Sequence, residues 1–169
     1  MFKWSVVANL TQSMGYTASS LGNHEFDDGD ADLEHFIKEV PYPMLACNLD
    51  LSKEPVLQHI VKPSITHEVV YKGRKHVIGI IGYVTPDTKE LSNAGEGVVF
   101  KDEIPALKLE VQKMKRLGIS IIIAVGHSGY KKDLEIAKNV RKFSSYLFYT
   151  QKKIFKTLRC IDSFLELTL

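Results

Sequence analysis

Two unbroken apolar runs, HVIGIIGYV at residues 76–84 and ISIIIAV at residues 119–125, restrict this chain more than any other feature. Both are rich in Ile and Val, whose branched Cβ is stiff at χ1 and packs well on a pleated surface, so both read as strands. A sheet with one face in water would alternate apolar and polar residues. Unbroken runs fit strands covered on both faces. Shorter strands are predicted in TASSL (17–21) and YPMLACNL (42–49), and HEVVYKGRKHVI (67–78) carries a hairpin signal with its turn at Lys72, Gly73, Arg74 and Lys75.

Helical spacing fills the gaps between these strands. In residues 30–40, Leu33, Phe36, Ile37 and Val40 share one face. In residues 101–119, Ile104, Leu107, Val111, Met114 and Leu117 do the same, with Pro105 in the first turn and Gly118 as a stop. A third helix is predicted from Gly129 through Lys142. Strand–helix alternation of this kind gives an α/β fold with a largely parallel central sheet.

The net charge of +2 gives no reason to expect a polyanionic partner such as nucleic acid, but its distribution is uneven. Residues 1–130 hold 13 basic and 16 acidic side chains, and residues 131–169 hold 9 and 4. The segment 141–169 thus reads as a divergent basic and aromatic tail behind a domain at 1–140. Within it Ile154, Leu158, Ile161 and Leu165 are spaced as an amphipathic helix. Cys47 and Cys160 make no disulfide framework. No stretch has the apolar length of a signal peptide or of a membrane span.

Three strand candidates run directly into polar segments: GNHEFDDG, TPDTKELSNAG and GHSGYKKD. In open α/β sheets ligands bind outside the carboxyl ends of the strands, which places His24 and His127 near one another despite their separation in sequence. Asn offers a neutral carbonyl oxygen, His an imidazole nitrogen and Asp a charged oxygen, a mixture that suits Zn, Mn or a related divalent ion. The same residues also suit plainer roles. Asn23 or Asp27 could cap the next helix, and Ser128 could cap the third. Asp87 and Asn93 read as turn residues at the site edge. His35, His59, His67 and His76 fall on helix or strand surfaces and are expected to be non-catalytic. GHSG lacks the spacing of a G-x-S-x-G nucleophile elbow.

In order and spacing, LGNHEFDDG, VIGIIGYVTPDT, LSNAGEGVVFKDEIPAL and IIIAVGHSGYKKDLEIAKNV resemble the 5'-nucleotidase/apyrase family of metallophosphoesterases, ecto-5'-nucleotidases and insect salivary apyrases above all, over roughly residues 5–140. The resemblance implies an α/β/β/α sandwich and two-metal hydrolysis of nucleoside 5'-phosphates, AMP or, for an apyrase, ADP and ATP. It implies that Asn23 and His127 are metal ligands, that His24 is the catalytic histidine, and that Asp27 orients it. It also implies an extracellular or cell-surface location.

The family's Asp-x-His and Gly-Asp motifs, which precede GNHEFD, do not occur here. Nor does its GGHS or GGHT motif, expected beyond Arg141–Lys142, or its nucleoside-gripping domain. The expectation is therefore a partial sandwich, truncated at both ends, with impaired turnover or a non-catalytic nucleotide-binding role.

Overall fold

The computed structural model describes residues 3–140, 145–150 and 153–156. In chain order the elements are α1 (Lys3–Gln12), β1 (Ser19–Ser20), a 3₁₀ turn (His24–Phe26), α2 (Asp30–Glu39), β2 (Met44–Leu45) and β3 (Leu49–Asp50). The hairpin β4 (Ser64–Tyr71) and β5 (Arg74–Val84) follows, then α3 (Thr88–Leu91), β6 (Val99–Phe100), α4 (Glu103–Arg116), β7 (Ile121–His127) and α5 (Tyr130–Asn139). The last described elements are β8 (Ser145–Thr150) and β9 (Lys153–Lys156).

The largest sheet has the order β4–β5–β7–β8–β9. Its centre is parallel, β5 with β7 and β7 with β8, and its two outer pairs are antiparallel. The β4–β5 turn is Lys72–Gly73, both at positive φ (48° and 74°), the geometry whose twist matches a tight two-residue hairpin. A second, two-stranded parallel sheet pairs β1 with β2, Ser19 opposite Met44 and Ser20 opposite Leu45. Its end is stitched to β5 where the Cys47 N–H donates to the Gly82 carbonyl at 2.8 Å. A third, antiparallel pair joins β3 to β6.

The strong runs and the helices α2 and α4 stand where the sequence places them. On β5, Gly79 through Val84 are all buried, but the start of the run is not covered on both faces: Val77 is exposed, and His76 and Ile78 are half-buried. β7 differs: buried Ile122, Ala124 and Gly126 alternate with half-buried Ile121, Ile123 and Val125, so its second face is only partly covered. α4 starts at Glu103 because the Asp102 carboxylate accepts the Ile104 N–H at 3.0 Å, and it stops at Gly118, whose φ is +78°. The predicted amphipathic helix in the tail is not borne out at Ile154, which lies in β9. Leu158, Ile161 and Leu165 lie outside the described residues.

Two apolar cores hold the layers together. One gathers Leu21, Phe26, Leu33, Phe36 and Leu57 around α2 and the β1–β2 pair. The other places Leu107, Val111 and Met114 of α4 and Ile136 of α5 against Ile81, Tyr83 and Ile122 of the large sheet. Between them the carboxyl ends of β1, β5 and β7 converge on one edge.

Candidate active site

The segment after β1 is fixed by its one apolar member. Phe26 is fully buried and meets the Phe100 ring edge-on at 5.6 Å, so the short 3₁₀ turn is pinned at its base. Glu25 turns back, its Oε2 accepting the Gly22 N–H at 2.7 Å. His24 is thereby left pointing outward, with its side chain 76% exposed.

His24 Nδ1 lies 2.7 Å from Asp27 Oδ2. That contact and the Asp27 charge raise the His24 pKa above its ordinary value, with a smaller contribution from Glu25. Reciprocally, the hydrogen bond with His24 and then one from Ser92 hold the Asp27 carboxyl below the usual range. An exposed pair of this kind contributes little to stability, so its significance lies in orientation. A carboxylate on Nδ1 fixes the ring as the Nδ1–H tautomer and leaves Nε2 facing outward.

The plainer capping roles are not realised. The N-cap of α2 is Gly29, with no side-chain cap, while Asp27 is engaged by His24. Asn23 makes no capping hydrogen bond and is half-buried. α5 is likewise capped by Gly129 rather than Ser128, whose Oγ is buried without a partner among the described residues. Asp87 starts α3 without a side-chain cap. Asn93 does line the site edge: its Nδ2 donates to the Asp27 carbonyl at 2.8 Å. His35 stacks on Trp4 at 5.9 Å.

His127 ends β7 and its carbonyl accepts the Thr85 N–H at 2.9 Å. The imidazole lies over the backbone of Gly22, where an added Cβ would sit 3.3 Å from His127 Cγ. The sheet therefore brings His127 against the residue that precedes Asn23, as the strand-end reading requires. A cleft of about 350 Å³ borders His24 and Asp27 and is lined by Trp4, Val7, Leu33 and Phe36. A larger one, about 520 Å³, is lined by Thr85, Glu103, Ser128 and Lys132 and contains none of the four predicted residues. The smaller cleft is the one joined to the His–Asp pair.

The donors present do not fit a two-metal centre. Asn23 and His127 are neutral, and among the described residues no three His, Cys, Asp or Glu side chains gather as they would around an ion. The carboxylates of the turn already have hydrogen-bond partners: Glu25 on Gly22, Asp27 on His24, and Asp30 on the Gly95 N–H. Sequence reasoning missed Glu25 and Ser92, neither of which has a local signal.

The α/β layer that carries these residues has the fold of calcineurin-like phosphoesterases. The calcineurin-like phosphoesterase YfkN of Bacillus subtilis shares the fold, with a TM-score of 0.72 and 24% identity, over 84% of this chain and 47% of that one. A 5'-nucleotidase precursor of Thermus thermophilus gives a TM-score of 0.78 and 32% identity over 87% of this chain and 29% of its own. By sequence, the chain is 41% identical over 142 residues to a 5'-nucleotidase of Homo sapiens, which is 83% of this chain and 24% of the relative. No protein-family model matches. Over most of its length the chain is similar to 5'-nucleotidases, and it spans about a quarter of the length of the curated relatives it matches.

Proposed function

We propose that this chain carries part of the machinery for metal-dependent hydrolysis of nucleoside 5'-phosphates, with His24 and Asp27 as the catalytic pair. The observation that carries the reading is the 2.7 Å contact between His24 Nδ1 and Asp27 Oδ2 at the rim of an open cleft. Asp27 holds the ring so that Nε2 faces a bound phosphate. Because the His24 pKa is raised, a larger share of rings is protonated near neutral pH than for an ordinary histidine. An imidazolium there stabilises negative charge on the phosphoryl oxygens and can protonate the departing oxygen.

Asn23 and His127 are assigned to the ligand shell of a divalent ion, Zn, Mn or Mg. Its anionic ligands would have to come from outside the described residues, so no step is written through the ion. The substrate in this reading is AMP, with ADP and ATP as the apyrase-type alternative. The shortage of anionic donors favours a second reading, nucleotide binding without turnover. We assign residues 1–140 to the phosphoesterase domain and 141–169 to a divergent tail, and we place the protein outside the cell or at its surface. No described helix is long and apolar enough to cross a membrane.

The test is phosphate release from AMP by the purified chain with added Zn or Mn, beside His24→Ala. The reading expects metal-dependent release that falls by about 10²–10⁴-fold in the variant, the usual range for loss of a general acid. Release that is indifferent to His24 would refute the assignment. No release from a folded sample would favour the binding-only reading.

A further inference from the structure

The loop between α3 and β6 reaches across to the 3₁₀ turn, far away in sequence, at several points. Ser92 Oγ lies 2.8 Å from Asp27 Oδ1 and 2.5 Å from the Asn23 carbonyl. The Asn93 N–H donates to the Phe26 carbonyl at 3.2 Å, and Asn93 Nδ2 donates to the Asp27 carbonyl at 2.8 Å. Further along, the Gly95 N–H donates to the Asp30 carboxylate at 3.1 Å. The two oxygens of Asp27 thus face two partners, Oδ2 on His24 and Oδ1 on Ser92; the single Ser92 hydroxyl proton lies between Asp27 Oδ1 and the Asn23 carbonyl, and the charged carboxylate is the stronger acceptor of the two. Ser92 itself is held where α3 ends, its N–H donating to the Thr88 carbonyl at 3.0 Å.

That division matters because the pair is open to water. Asp27 is 48% exposed and His24 76% exposed, so nothing in their own packing stops the carboxylate from rotating about χ2. A carboxylate that accepts from both sides has one orientation in which both bonds are made. We propose that Ser92 is a positioning residue for the His24–Asp27 pair: its hydroxyl fixes the Asp27 carboxylate plane, and that plane selects the Nδ1–H tautomer of His24. Asn93 holds the backbone under Asp27 and sets its height. The catalytic meaning of Ser92 rests on the function proposed above, but its effect on the ring does not.

The experiment reads the ring directly. Imidazole ¹⁵N shifts of His24 are recorded in the full chain, with chelator present, at a pH where the ring is neutral. Wild-type protein is compared with Ser92→Ala, Ser92→Thr and Asp27→Ala. The expected result is a predominantly Nδ1–H ring in the wild type, a shift in Ser92→Ala most of the way to the Asp27→Ala spectrum, and restoration in Ser92→Thr. A purely structural role for Ser92 would leave the tautomer unchanged in a folded variant. If Ser92→Ala loses its fold, Ser92→Cys keeps the volume with only a weak donor and is read in the same way. An unchanged tautomer in whichever of these folds, or a shift that Ser92→Thr does not reverse, overturns the proposal. Failure of the AMP assay would overturn the proposed function and leave this measurement standing.

Discussion

Tyr83→Phe tests the buried polar contact beneath the GHSG turn. Tyr83 is fully buried and its hydroxyl donates to Asp133 Oδ1 at 2.9 Å, while Asp133 Oδ2 has no partner among the described residues. Burial is the main cause that pushes the Asp133 carboxyl up to about 6. The Tyr83 hydrogen bond pulls it down and the Glu103 charge pushes it further up. Relative to an ordinary 3.8, the rise amounts to about 3 kcal/mol of preference for the neutral carboxyl in the fold. A group raised in this way contributes fully below its unfolded value and loses that contribution as pH climbs through about 6. Glu103, also raised by burial, acts in the same direction; Lys132 and Ser128 oppose it, Ser128 without reaching hydrogen-bond geometry. Phe deletes the one group that favours ionised Asp133. The cost should be about 1 kcal/mol near pH 5, where a neutral hydrogen bond is lost, and about 2 kcal/mol near pH 8, where the lost bond was to a charge. Urea unfolding at the two pH values measures this, with Asp133→Asn as the background in which the pH dependence of the Tyr83→Phe cost disappears. Equal cost at both values, or a larger cost in acid, would refute the reasoning.

Two further outcomes follow from the packing around that turn. Gly126→Ala would put a Cβ 2.2 Å from Tyr83 Cζ, against a ring with no room to yield, so a loss of about 1–3 kcal/mol is expected in thermal unfolding, with a shift of the neighbouring His127 resonances. A neutral Tm would show that β7 slides freely over the ring. Asp102→Ala removes the acceptor for the Ile104 N–H and should lower the urea midpoint by the equivalent of about 1 kcal/mol at constant m-value. An unchanged midpoint would mean that water replaces the cap without loss.

The parts legible in the sequence are those in which local chemistry and tertiary position agree. Residues 79–84 hold only residues suited to a covered strand, Lys72–Gly73 is a turn on its own terms, and Asp102 and Gly118 mark α4 at both ends. The strand-end rule placed His24 and His127 at one edge; the structure sets the His127 ring against Gly22, two residues before His24. The rest depends on partners remote in sequence. β1 and β2 fall inside the predicted strands TASSL and YPMLACNL but are only two residues each, and neither segment specifies that they pair with one another. Ile154 fits a helical stripe by spacing, yet its backbone pairs with Tyr149 in an antiparallel strand. Ser92 sits at the end of a four-residue helix and gains its role only from Asp27 across the fold.

Charge then separates what this chain supplies from what the chemistry needs. Among the acidic side chains here, Glu25, Asp27 and Asp30 each support something: the Gly22 bend, the His24 ring, the Gly95 loop. Drawing any of them toward an ion beside Asn23 would release the geometry that it maintains. Asp27 is the clearest case, because both of its oxygens are already engaged, Oδ2 by His24 and Oδ1 by Ser92. Two divalent ions about 3.5–4 Å apart repel one another and require anionic oxygen between them. The other buried carboxyls, Glu103 and Asp133, have raised pKa values; Glu103 lines the larger cleft beside Ser128, and Asp133 accepts from the buried Tyr83. The oriented histidine and the metal centre therefore draw on different residues. The first is complete in this chain, so the Nδ1–H tautomer of His24 should be present with no metal bound.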